Sequence, residues 1–129
     1  MELARESYKK ADDLRSSYYN PATARNYQHL RRIISGRNIQ LVCVQYPMRS
    51  LDNLKRIFPD NDDIVFVDNE KIFKKAVRID GYNKYFEDVF AGDFGHCTRR
   101  GNRLLAENIA DIILSEVFAI KPDENKLIK

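Results

Sequence analysis

From the N-terminus, apolar residues first recur at helical spacing. Ala4, Tyr8, Ala11, Leu14 and Tyr18 fall on one side of a helix over Glu2 to Tyr18, a polar helix that must lean on a neighbour. Asn20–Pro21 reads as a second helix start, with Asn20 as cap and Pro21 where its missing N–H costs nothing. Thr23, Tyr27, Leu30 and Ile34 share one face of that helix, and Gly36 is expected to end it in the left-handed conformation. The period then changes. Ile39 to Val44 is a β-branched, nearly continuous apolar run, read as a strand buried on both faces and stopped by Pro47. Leu51, Leu54 and Phe58 mark a short helix, and Pro59 to Asp63 a turn. Ile64 to Val67 is a second buried strand, after which Asp68 or Asn69 can cap a helix carrying Ile72, Phe73, Ala76 and Val77. An aromatic loop spans Tyr82 to Phe94. Thr98 caps a last helix with Leu105, Ile109, Ile112, Ile113 and Val117 on its apolar side, and the charged tail Lys121 to Lys129 is expected to fray.

Helices alternating with apolar strands predict an α/β layered fold with parallel strands. Two strands, each apolar on both faces, do not complete such a sheet. The expectation is a single but incomplete domain over residues 1–129, whose further strands precede Met1 in a longer protein or come from another chain. The length of 129 residues, with 43% hydrophobic and 32% charged, suits one folded domain rather than a disordered chain. No apolar run approaches the roughly 20 residues of a membrane span, and the charged start lacks the apolar core of a signal peptide, so no compartment is indicated. Lys+Arg 22 against Asp+Glu 19 leaves +3, too little to call for a nucleic-acid partner. Cys43 and Cys97 make neither a disulfide framework nor a zinc-finger spacing.

Chemistry concentrates in Gly92–Asp93–Phe94–Gly95–His96–Cys97–Thr98, just before the last helix. An Asp three residues before a His can place a carboxylate beside the imidazole, fixing its tautomer and stabilising the imidazolium formed when the other nitrogen takes a proton. This block, followed by Gly101, Asn102 and the Leu104–Leu105–Ala106–Glu107–Asn108–Ile109 run, resembles the C-terminal block of the SGNH (GDSL-type) hydrolases. Upstream, Asn26–Tyr27 on a helix, Gln45–Tyr46–Pro47 after the first strand and Val67–Asp68 after the second follow that family's last two βα units in order. The resemblance covers about Asn20 to Leu114. It implies a flavodoxin-like three-layer α/β/α fold, ester hydrolysis without a cofactor, and His96 and Asp93 as two members of a Ser–His–Asp triad. The family's Gly-Asp-Ser nucleophile block, oxyanion glycine and Gly-x-Asn-Asp block do not precede Ile39, and Gly81–Tyr82–Asn83 stands out of order. The chain therefore looks like the C-terminal portion of a hydrolase, inactive alone.

Arg49 and Pro47, after the first strand, are the candidate substrate contacts. Ser50 in the same loop, without a Gly-flanked elbow, and Cys97 beside His96 are the in-chain alternatives for a nucleophile, set against an ordinary loop serine and an inert thiol. Asp60–Asn61–Asp62–Asp63 lacks the Gly and Glu of a calcium loop, and Asp93 with His96 gives at most two metal ligands, so no metal is expected. Arg99, Arg100 and Arg103 fit the wet face of the last helix. The rival reading is a non-catalytic interaction module derived from a hydrolase, self-associating through the apolar strand edge at Ile39 to Val44.

Overall fold

The computed structural model describes residues 20–89 and 92–120. The predicted helix over Glu2 to Tyr18 and the tail after 120 lie outside the described residues. Helix α1 spans Pro21–Ser35, strand β1 Leu41–Val44, α2 Asp52–Lys55, β2 Ile64–Val67, α3 Glu70–Asp80 and α4 Arg99–Ile112. A 3-10 turn at Tyr82–Lys84 follows α3, and α4 widens into a π-helical turn over Ile113–Val117. The fold is mixed α/β: helices around a two-stranded parallel sheet, with Leu41 opposite Ile64 and Val44 opposite Val67. No helix among the described residues is long and apolar enough to cross a membrane.

Local chemistry sets most boundaries as read from the sequence. The Asn20 side chain accepts from the Ala22 N–H at 2.9 Å, with Pro21 in the first turn. Thr98 Oγ1 accepts from the Gly101 N–H at 3.1 Å and starts α4. One boundary differs in detail, and at another the structure selects one of the two candidate caps. Gly36 ends α1 in the right-handed region (φ −65°), and the left-handed residue is Asn38 (φ 55°), whose short polar side chain tolerates that region. At the start of α3 the capping bond comes from Asp68, whose Oδ1 accepts from the Glu70 N–H at 2.9 Å. Asn69, in the cap position, directs its side chain elsewhere.

Two apolar clusters hold these elements. Cys43, Ile57, Phe58 and Ile64 form one, with Ala24 of α1 and Phe66 of β2 against it. Phe73, Tyr85, Phe86 and Phe94 form the other, joined by Ile72, Ala76 and Val77 of α3 and Leu104 and Leu105 of α4. Three of those four aromatics belong to the stretch read from the sequence as a loop. An antiparallel bridge between Phe86 and Cys97 folds it back on itself, and the rings turn inward where the backbone is still hydrogen-bonded.

The two strands differ in cover. In β2, Ile64, Val65 and Val67 are buried. In β1 only Cys43 is buried, Leu41 and Val42 are half-buried, and Val44 is 43% exposed. The expectation of burial on both faces thus holds for β2 and not for β1. On α1 no residue is buried, and Tyr27, Leu30 and Ile33 stand exposed.

Candidate functional site

Parallel strands end together, so the loops after them meet at one end of the sheet. After β1, the Gln45–Ser50 loop turns back through an Arg49 N–H bond to the Tyr46 carbonyl at 3.0 Å. After β2 comes Asp68–Asn69. Asn69 is fully buried and ties three elements: its Nδ2 donates to the Gln45 carbonyl at 3.1 Å, and its Oδ1 accepts from Asn108 Nδ2 of α4 at 2.8 Å. Asn108 also donates to the Asp68 carbonyl at 3.0 Å. Both strand ends and the last helix are thereby fixed around one satisfied buried amide, costly to disturb in a low-dielectric surrounding.

The loop carrying Asp93 and His96 docks on this end. The rings of Tyr46 and Phe94 stack at 4.9 Å, and the Arg49 guanidinium lies 5.3 Å from the Phe94 centroid. Arg49 pairs with the Asp93 carboxylate at 3.3 Å. His96, at the same loop's end, sits two residues before the Thr98 cap of α4.

The carboxylate that meets the imidazole is Asp88. Its Oδ2 lies 2.6 Å from His96 Nδ1, and its Oδ1 accepts from the His96 backbone N–H at 2.8 Å. The Asp93 carboxylate, expected from spacing to orient His96, is held by Arg49. The physical reason is the Phe86–Cys97 bridge. Glu87 N–H donates to the His96 carbonyl at 2.8 Å, which draws the two chain segments together and sets Asp88 against His96. Asp88 is braced in turn, since Tyr82 Oη donates to its carbonyl at 2.8 Å. Gly95 makes the approach possible: a Cβ there would overlap the Asp88 carbonyl.

The electrostatics follow. The His96 backbone bond, then its ring, holds the Asp88 carboxyl below the usual range. The bond from Asp88 and its charge push the His96 imidazole above its usual value, outweighing desolvation. Both side chains are exposed to water, the His96 side chain by 69%. Such a pair fixes Nδ1 as the protonated nitrogen.

The remaining sequence candidates are placed as follows. Pro47 is buried behind the loop, and Arg49 lies at the site. Ser50 Oγ accepts from the Asp52 N–H at 3.2 Å, at the start of α2. Burial pushes the Cys97 thiol up, keeping it protonated and a poor nucleophile. Ser35 donates to Asp63 and Ser115 to the Ile112 carbonyl, so all three serines among the described residues are engaged in hydrogen bonds. No group of three or more His, Cys, Asp or Glu among the described residues could hold a metal ion. Sequence reasoning missed Asp88 and Asn69–Asn108. No spacing rule links Asp88 to His96; the only signal was the pair of glycines, Gly92 and Gly95, that lets the aromatic segment double back.

Comparison with protein-family models, with curated proteins and with solved structures found no match to this chain, and the candidate site rests on its own geometry.

Proposed function

We propose that this chain is the C-terminal portion of an SGNH-type ester hydrolase with a flavodoxin-like α/β/α fold, and that it supplies the general base of a Ser–His–Asp triad. The observation that carries this reading is the carboxylate–imidazole pair of Asp88 and His96, on a loop that docks at the C-terminal ends of the two parallel strands. In the reaction a serine attacks the ester carbonyl, His96 Nε2 takes its proton and returns it to the departing alkoxide, and the carboxylate at Nδ1 stabilises the imidazolium between the two steps. Asp88, within bonding distance of Nδ1, is the carboxylate this reading assigns to that role, while Asp93, the carboxylate implied by the resemblance, pairs with Arg49. The attacking serine comes from sequence outside the described residues. Removing a nucleophile and its oxyanion donors costs several orders of magnitude in rate, so this chain alone is expected to show no esterase turnover. The test is aryl-acetate hydrolysis by the chain alone and by a longer gene product carrying a Gly-Asp-Ser block. Turnover by the longer product that His96→Ala abolishes supports the reading; turnover indifferent to His96→Ala overturns it.

A second reading is supported by a different observation. Strand β1 pairs only with β2 among the described residues, and its last residue Val44, Ile39 just before it, and Leu30 and Ile33 of α1 are exposed. An apolar edge of this kind is a template for another chain, so the protein is a self-associating interaction module. Light scattering at low micromolar concentration decides it: a dimer supports it, and a stable monomer with slow hydrogen exchange over Leu41 to Val44 sinks it.

A further inference from the structure

Asp88 reaches His96 with both carboxylate oxygens, although Asp88 itself is exposed. Its carbonyl oxygen is what ties it down. That atom accepts the Tyr82 Oη–H at 2.8 Å, and it lies 1.8 Å from where a Cβ on Gly95 would stand. The Asp88 peptide plane is thereby fixed, and with it the direction in which the side chain leaves the backbone. Tyr82 is a firm anchor. It follows Gly81, whose positive φ of 90° turns the chain sharply at the end of α3. Its carbonyl accepts the Tyr85 and Phe86 N–H groups at 2.9 and 3.0 Å. Its ring lies 4.9 Å from that of Phe86, which packs in turn against the wholly buried Phe73 of α3. Burial, and then the charges of Asp88 and Asp93, push the Tyr82 phenol above its ordinary value, so it keeps the proton it donates.

A carboxylate stabilises an imidazolium only while the two groups are held close and aligned. Water competes for both partners of an exposed pair, and the interaction weakens whenever the carboxylate can swing away. The Tyr82 bond removes that freedom in advance, because it ties the Asp88 peptide to the aromatic cluster beneath it. Glu87 also acts on the imidazole, more weakly than Asp88. We propose that Tyr82 is a positioning residue for His96, acting through its hydrogen bond to the Asp88 carbonyl. Joined to the hydrolase reading above, on which this part rests, it makes the phenol part of the device that keeps the general base aligned.

The test is an NMR pH titration of the His96 ring protons in the whole chain, which needs no turnover. Tyr82→Phe keeps the ring beside Phe86 and removes only the donor, and circular dichroism confirms that the variant folds. The expected result is a His96 midpoint lowered toward its ordinary 6.5, by at least about a third of the drop that Asp88→Asn causes. In an Asp88→Asn background the same change is expected to add nothing, because the phenol acts through that carboxylate. A smaller drop, or an equal drop in both backgrounds, overturns the positioning role. Failure of this role and failure of the hydrolase reading are distinguished by ester turnover in the longer gene product carrying a Gly-Asp-Ser block. If the midpoint follows Tyr82 but turnover ignores His96→Ala, the positioning role stands and the hydrolase reading fails. If turnover requires His96 while the midpoint ignores Tyr82, the positioning role fails and the hydrolase reading survives.

Discussion

The two strands share a length and an apolar composition, but they live in different surroundings. Strand β2 has α4 packed against it, and Val67 is entirely shielded from water. Strand β1 has β2 on one side, and its last residue, Val44, is 43% exposed. The helices repeat the contrast. Helix α3 buries Phe73 completely, whereas α1 buries nothing and touches its cluster through the partly covered Ala24. Four apolar residues in a row therefore state that a strand wants cover on both faces, without stating that this chain provides it. The uncovered half is the part of the described sheet open to water, and the covered half is what holds the candidate site still.

That contrast can be broken most sharply in the core. Phe73→Ala in the covered half removes a ring with no exposure and is expected to cost about 3–5 kcal/mol, read by urea denaturation. A loss below about 1 kcal/mol would mean that the covered half is packed no better than the other.

Next is the buried amide. Asn69→Ala leaves the Gln45 carbonyl and the Asn108 side chain short of partners, with an expected loss of about 1–3 kcal/mol. Asn108→Ala should cost a similar amount, and the double variant less than the sum, because both remove the same contact. Strict additivity would show that the two asparagines act separately.

The Asp88–His96 pair gives a pH dependence. The Asp88 carboxyl is held low, so its contribution is present above its ordinary 3.8 and lost as pH falls through the folded value. The His96 imidazole is raised, so its contribution is present below its ordinary 6.5 and lost as pH rises through the folded value. Order in the Asp88–His96 loop is thus expected to be greatest between those two pH values. In an NMR titration, Asp88→Asn should return the His96 midpoint toward 6.5, whereas Asp93→Asn should leave it nearly in place. The opposite ranking would assign the imidazole to Asp93.

The smallest effect belongs to the uncovered half. Leu30→Ser and Ile33→Ser, at 47% and 45% exposure, should change stability by no more than about 0.5 kcal/mol. If self-association uses this face, the same variants shift the light-scattering mass toward the monomer. A large stability loss with no change in mass would place both side chains in a core instead.

The sequence by itself determined what depends on near neighbours. Asn20–Pro21 and Thr98 start their helices because a cap needs only a side-chain oxygen two or three residues before an unpaired N–H. Ile39 to Val44 and Ile64 to Val67 read as strands because β-branched apolar runs fit little else, and β1 and β2 lie within them. The end of the sheet that would carry chemistry was legible too, because parallel strands place their following loops together, and Arg49, Asp93 and Phe94 do meet there. Tertiary structure decided the rest. Asp88 reaches His96 through a chain reversal fixed by the Phe86–Cys97 bridge and the bare backbone of Gly95, and neither leaves a periodic trace in the sequence. Asn69 looked like a cap, and its burial follows only once β1, β2 and α4 converge on it and supply its partners. Exposure of β1 was unreadable for the same reason: residue type reports what a side chain prefers to contact, and the assembled fold determines whether that contact is present.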